Sequence, residues 1–137
     1  MNGYNNKTIL VTGGTGTIGS ELVRQLIELK PKQIRVLSRD QNKQYHLAEK
    51  LGHYPGLRLL IGDIRDRERL DLAMDGVDII FHTAALKHVP SCEYNPFEAI
   101  KTNIIGSQNI IDLARKHHIK KIIGISTDKA VNPNNIM

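Results

Sequence analysis

The sequence predicts an α/β protein built on a doubly wound parallel sheet, and three observations predict it. Five short runs rich in Ile, Leu and Val recur along the 137 residues. Stretches with helical spacing of apolar residues separate them. The first run passes into the first helix through a cluster of glycines, Gly13, Gly14, Gly16 and Gly19. This length allows one domain with a real core and is too short for two.

The elements follow in order. Thr8–Val11 is the first strand, and Ile18–Leu29 the first helix, with Leu22, Leu26 and Leu29 on one face and Lys30-Pro31 ending it. Ile34–Leu37 is the second strand, followed by a helix over Asn42–Leu51. Leu57–Ile61 is the third strand, and the helix Arg67–Met74 after it has Asp66 as its N-cap. Ile79–His82 is the fourth strand. A long helix then starts with Asn95 as cap and Pro96 in its first turn, and places Phe97, Ile100, Ile104, Ile111 and Ala114 on one inward face. Gly106 within it should cost about 1 kcal/mol relative to Ala, which is tolerable where another element packs closely. Ile122–Ile125 is the fifth strand. All five strands read as apolar on both faces, as parallel strands between two helix layers are. Right-handed crossovers give the order 3-2-1-4-5, with ligands at the carboxyl ends of the strands beside the switch point.

Composition excludes several classes. No apolar run approaches the roughly 20 residues that span a bilayer, so no membrane partner is expected. The segment Met1–Lys7 has no apolar signal core, and the single cysteine, Cys92, fits a reducing compartment. Together these predict a cytoplasmic protein. The net charge of +5 comes from basic residues scattered among acids, with no Trp and only six Phe plus Tyr. Nucleic acid is therefore not an expected partner. The six histidines show no ligand spacing, so no metal is expected.

The informative residues fall at the carboxyl ends of the strands. Gly13, Gly16 and Gly19 have a G-x-x-G-x-x-G spacing between strand and helix. Glycines in such a turn let backbone N–H groups, with those of Thr15, Thr17 and Ile18, approach a pyrophosphate at the helix N-terminus. That context points to a Rossmann-type dinucleotide site. Ser38 and Arg39 end the second strand about 20 residues later, where an arginine accommodates a ribose 2′-phosphate, which favours NADP over NAD. Asp63 and Ile64 follow the third strand; Asp63 could reach the adenine or simply cap the turn.

On these pieces the chain resembles an extended short-chain dehydrogenase/reductase. More narrowly, it is similar to the bacterial UDP-N-acetylglucosamine 4,6-dehydratases of the polysaccharide-biosynthesis (CapD-like) family. The matching segments are Thr12–Gly19, Gly62–Asp66, His82–Pro90 (His-Thr-Ala-Ala-Leu-Lys-His-Val-Pro) and Ser126–Pro133 (Ser-Thr-Asp-Lys-Ala-Val-Asn-Pro). The last two runs are the specific ones. The likeness covers essentially the whole chain, but only the amino-terminal part of such an enzyme.

The resemblance implies a UDP-sugar substrate and an NADP cofactor used as a recycled oxidant. In such enzymes oxidation at C4 acidifies the C5 proton, a base removes it, an acid helps water leave C6, and the hydride returns to C6. It further implies that Thr127 holds the C4 hydroxyl, Asp128 is the acid and Lys129 the base. Ala84 and Ala85 would allow close approach of the cofactor, Lys87 would meet the substrate or nicotinamide ribose, and Asn103 would support the site. Met137 stands where the family's wider pattern has a catalytic tyrosine, although some similar dehydratases carry Met there. The missing downstream segments would leave surfaces uncovered, so a homo-oligomer is expected, with little or no turnover by this chain alone. A nucleotide-sugar 4-epimerase and a non-catalytic NAD(P)-binding module are the alternatives.

Overall fold

The structure is a computed structural model that describes residues 3–131, 135 and 136. Five strands form one all-parallel sheet in the order β3-β2-β1-β4-β5. They are β1 Thr8–Thr12, β2 Gln33–Ser38, β3 Leu57–Ile61, β4 Ile79–His82 and β5 Lys121–Gly124. In the register of the central pair, Thr12 stands beside Leu37 on one side and His82 on the other.

Alternation along β1 divides the core between two layers. Leu10 points into one layer with Leu37, Ile80, Leu70, Met74, Ile110 and Leu113. Ile9 and Val11 point into the other, with Val23, Leu26, Ile34, Val36 and Leu47. The second layer holds helices α1 (Thr17–Glu28) and α2 (Gln41–Leu51). The first holds α3 (Arg67–Met74) and the carboxyl half of a long helical segment. Helices on both faces of an all-parallel sheet make the Rossmann-type doubly wound fold expected from the sequence. No helix among the described residues is long and apolar enough to cross a membrane.

Local chemistry fixes the boundaries. Asp66 caps α3 by accepting from the Arg69 N–H, as expected, and Asp40 caps α2 through the Lys43 N–H. Lys30, with φ of 50°, turns the chain out of α1 before Pro31. At the other end of the sheet Asp78 joins two strands, its carboxylate accepting from the Thr8 N–H and the Lys7 ammonium. Those bonds hold its pKa below the usual carboxylate value, with the Thr8 N–H contributing most.

Several expectations need correction. β3 and β5 are edge strands, so they are not buried on both faces: Ile61 and Ile122 are exposed. β5 is set one residue earlier than Ile122–Ile125, although the Ile125 N–H still bonds the His82 carbonyl. A short helix, α4 (Val89–Tyr94), precedes the long one. Asn95 joins the two and caps neither with its side chain; its Nδ2 donates to the Ser91 carbonyl.

The long helix runs as α5 (Pro96–Ala99), a π-helical turn (Ile100–Ile105) and α6 (Gly106–Lys116). Only part of the expected face is buried: Ala114 lies in the core and Ile100 is half-buried. Phe97, Ile104 and Ile111 are exposed, while Ala99, Thr102, Gly106, Asn109, Ile110 and Leu113 are buried. The cause is Gly106: a methyl group there would lie 2.6 Å from Cδ1 of Ile64. Glycine lets this turn pack on the chain leaving β3, so Thr102, Asn109, Ile110 and Leu113 face inward with it while Ile104 and Ile111 face out.

Gly106→Ala should lower stability by about 1–2 kcal/mol despite the better helix propensity of alanine, read as a lower midpoint in urea. Adding Ile64→Val should recover part of that loss, giving a non-additive cycle. Additive losses would mean that the contact with Ile64 is not the constraint.

Candidate functional site

The carboxyl ends of the strands open onto a groove of about 590 Å³. One wall is the turn from β1 into α1. Gly13 has φ of 69°, and a Cβ there would sit 2.7 Å from the N and Cα of Ala84. Glycine is required twice over, by the backbone conformation and by the approach of the chain leaving β4. Gly16 precedes α1 without a side-chain cap, and the first turn of the helix holds no acidic residue. The leading N–H groups of α1 therefore face an anion-favouring end of the helix dipole with no protein carboxylate beside it. Thr15, Gly16, Thr17, Ile18 and Gly19 all line the groove.

The far end carries both charges, with Arg39 and Lys43 beside Asp40 and Asp63. Ser38 is buried and its Oγ accepts from Gln44 Nε2. Arg39 is half-exposed above the groove, and its guanidinium lies 3.5 Å from Asp63 Oδ2. Lys43, one turn into α2, lines the same end. No sequence motif marks Lys43; its place follows from the Asp40 cap of α2. Asp63 adopts the turn-capping alternative: Oδ1 accepts from the Arg65 N–H, and Oδ2 pairs with the Arg65 guanidinium at 2.7 Å. Burial pushes its pKa up, but the bonds to Arg65 and the charges of Arg65 and Arg39 outweigh this and leave it lowered. Asp63 is thus a carboxylate at neutral pH, and Ile64 beside it is buried.

The second wall is the chain after β4. Thr83, Ala84, Ala85 and Lys87 line it. Asn103, in the π-helical turn, holds this stretch by both ends of one residue. Its Oδ1 accepts from the Leu86 N–H at 2.8 Å and its Nδ2 donates to the Leu86 carbonyl at 2.9 Å. Asn103 is therefore a support and not part of the groove lining. Thr102, unremarked in the sequence, reaches the groove from the same turn, and its buried hydroxyl has no hydrogen-bond partner among the described residues. A buried orphan hydroxyl is uncommon in a finished interior and suits a site that gains polar atoms from a ligand.

Thr127, Asp128 and Lys129 follow β5 at its carboxyl end, outside the groove lining. They form a 3₁₀ turn in which Thr127 Oγ1 accepts from the Lys129 N–H. All three are exposed, and Lys129 Nζ lies 3.7 Å from Asp128 Oδ1. The structure brings them to the same edge of the sheet as the groove and does not enclose them. Asn132, Pro133 and Met137 lie outside the described residues.

Comparison with known proteins agrees with this geometry. Residues 9–137 match the family described as polysaccharide biosynthesis protein. A protein of Methanocaldococcus jannaschii named as an uncharacterized membrane protein is 55% identical over 99% of this chain and 40% of its own length. The inverting UDP-N-acetylglucosamine 4,6-dehydratase of Campylobacter jejuni is 51% identical over 97% of this chain and 40% of its length. A UDP-glucose 4-epimerase of Rickettsia canadensis is 45% identical over 96% of this chain and 40% of its length. The crystal structure of Pen from Bacillus thuringiensis superposes with a TM-score of 0.94 at 44% identity, covering 97% of this chain and 42% of that one. A UDP-glucose 4-epimerase of Stenotrophomonas maltophila, solved with NAD and formylated UDP-arabinopyranose, gives a TM-score of 0.79 at 25% identity, over 90% of this chain and 38% of that one. The chain thus spans about 40% of the length of the curated relatives it matches.

The two demands on Gly13 can be separated. Gly76 has nearly the same φ, 66°, with nothing within 4 Å of an added Cβ. Gly76→Ala should cost only the left-handed strain of about 1–2 kcal/mol. Gly13→Ala should cost at least about 1 kcal/mol more through its clash with Ala84. Equal losses in urea denaturation would show that the approach of Ala84 imposes nothing.

Proposed function

The chain belongs to the polysaccharide biosynthesis protein family, and from that premise we propose that it is the cofactor-binding portion of an NADP-dependent nucleotide-sugar 4,6-dehydratase. One observation carries the cofactor half of this reading: the uncapped N-terminus of α1 and its glycine turn open onto a groove with Arg39 and Lys43 at one end and Lys87 at the other. Those charges suit a molecule with a pyrophosphate at its middle and a further phosphate at its adenosine end. The residues present fit NADP: Gly13 leaves the space that a side chain would fill, and the Thr102 hydroxyl lacks a partner.

When bound, the cofactor supplies reversible oxidation at C4 of the sugar. The hydride taken from C4 would end on C6, and the protein's own groups would handle the protons. The Thr127 hydroxyl orients the C4 hydroxyl by hydrogen bonding. The Lys129 amine takes the proton from C5, and the Asp128 carboxyl gives a proton to the C6 hydroxyl, which leaves as water. Asp128 and Lys129 stand exposed here. Acid–base work of this kind needs them enclosed against a substrate, which the remaining length of the relatives would supply. The substrate proposed is a UDP-sugar. The outward apolar row Phe97, Ile104 and Ile111 supports a homo-oligomer. A cytoplasmic location remains part of this proposal.

A 4-epimerase is the second reading, favoured by the 45% identity to the Rickettsia canadensis enzyme so named. The Thr127-Asp128-Lys129 run favours dehydration, since epimerisation expels no water.

Calorimetric titration should show NADP binding more tightly than NAD, and Arg39→Ala should remove about tenfold of that preference, worth about 1.4 kcal/mol. NAD binding at least as tight as NADP, with Arg39→Ala changing neither, would overturn the cofactor assignment. In an enzyme carrying the relatives' full length, Asp128→Asn and Lys129→Ala should each slow release of water from the UDP-sugar by at least about a hundredfold. Normal dehydration rates in both would sink the catalytic assignment, and a product that keeps its water would establish the epimerase.

A further inference from the structure

The two walls of the groove are joined beneath it by one chain of hydrogen bonds. Thr12, the last residue of β1, bonds through Oγ1 to His82 Nδ1 at 2.7 Å. His82 Nε2 lies 3.1 Å from the Ser107 hydroxyl. Ser107 in turn donates to the Asn103 carbonyl at 2.7 Å, and Asn103 holds both backbone groups of Leu86. Thr83 closes the near side, donating to the Thr12 carbonyl from its hydroxyl at 2.8 Å and from its N–H at 3.1 Å.

The direction of this chain follows from the one partner that cannot donate. The Asn103 carbonyl only accepts, so the Ser107 proton goes to it, and the Ser107 oxygen is left to accept from His82. Nε2 therefore carries the imidazole proton. In a neutral ring Nδ1 is then an acceptor, and it takes the Thr12 hydroxyl proton. Burial lowers the His82 pKa, which favours this neutral ring.

We propose that neutral, Nε2-protonated His82 is a positioning residue that fixes the wall Ala84–Lys87 against the glycine turn, so that the end of the groove beside that wall depends on it. The role rests on the dinucleotide reading above. His82 touches no ligand in this account. It acts through Thr12, which leads directly into Gly13, and through Ser107 and Asn103, which set Leu86 between Ala85 and Lys87. The adenosine end, built from Ser38, Arg39 and Lys43, takes no part in the chain of bonds. A dinucleotide spans both ends and the glycine turn between them, whereas adenosine 2′-monophosphate, which has no 5′-phosphate, occupies only the adenosine end. The two probes therefore separate a wall-positioning role from general loss of structure.

The test combines nitrogen NMR, amide exchange and calorimetry. In ¹⁵N-labelled protein the His82 signals should show a protonated Nε2 and a bare Nδ1. His82→Phe should speed exchange of the Leu86 amide by at least about tenfold. It should weaken NADP by about tenfold while leaving adenosine 2′-monophosphate within about twofold. Ser107→Ala cuts the chain with less disturbance of the core and should give the same pattern, smaller. His82→Gln, which retains a donor towards Ser107, should restore part of the Leu86 protection.

Equal weakening of both probes, unchanged NADP affinity in both His82→Phe and Ser107→Ala, or a proton on Nδ1 would overturn the proposal. If the unmodified protein binds neither probe, the cofactor reading fails by itself. The tautomer and the Leu86 exchange then decide the positioning role: acceleration in both variants upholds it, and unchanged exchange overturns it.

Discussion

A methyl group on Gly13 would sit 2.7 Å from the backbone of Ala84, and much at the carboxyl edge of the sheet follows from that approach. The turn after β1 and the chain leaving β4 come from neighbouring strands whose crossovers run to opposite faces. Where they diverge a crevice opens, and its depth is set by how closely the two backbones approach at its floor. Gly19 shares the constraint, since a Cβ there would meet the Gly13 carbonyl at 2.4 Å and the Thr83 hydroxyl at 2.8 Å. No side chain fits at Gly13 or Gly19, and there backbone N–H groups are what remains to face a ligand.

Around that floor the charges are arranged by distance from the helix end and not by net charge. Asp40 and Asp66 neutralise the first turns of α2 and α3, whereas α1 begins with glycine and threonine. Asp63 is drawn aside by Arg65, which also pairs with Glu98. Arg39 reaches Asp63 only at 3.5 Å and stays half-exposed. The groove therefore keeps an α1 first turn without acidic residues at its centre, while Asp40 and Asp63 in its lining are each engaged, by the α2 N-terminus and by Arg65. A binding site for phosphates needs this local subtraction of carboxylates more than it needs a basic protein.

Sheet order, strand positions and the glycine turn were legible in the sequence because each rests on a short-range signal: an apolar run, a cap, a glycine spacing. Leu57–Ile61 and Ile79–His82 fall where expected to the residue. The long helix was misread because the inward face was assigned to its largest apolar side chains. Gly106 marked the true face, since a glycine tolerated mid-helix implies a neighbour at contact distance. Ile104 and Ile111 had to point away from it. The short helix Val89–Tyr94 carries too few apolar positions to show a period. The glycine turn and Arg39 could be named from motif position. The clasp of Asn103 on Leu86 could not, because it depends on a helical irregularity that side-chain patterns do not encode. Thr127, Asp128 and Lys129 were legible only through resemblance, and their exposed turn has no local feature that would single them out.

The π-helical turn at Ile100–Ile105 has a consequence for how this segment can change over time. Such a turn holds one residue more than an α-turn, so the stretch from Pro96 to Lys116 carries a surplus residue. Loss of one residue within that turn would let the helix run evenly with its flanks nearly in phase, whereas loss of one from the regular turns would rotate the side chains on either side by about 100° relative to each other. Asn103 bonds Leu86 on the chain leaving β4 and Ser107 bonds His82 at the end of β4, and a deletion between them would break the spacing that serves both. Substitutions on the outward row leave that phase untouched. The segment is thus constrained in length more than in composition: it tolerates drift in spelling and resists a shift in reading frame along the helix axis.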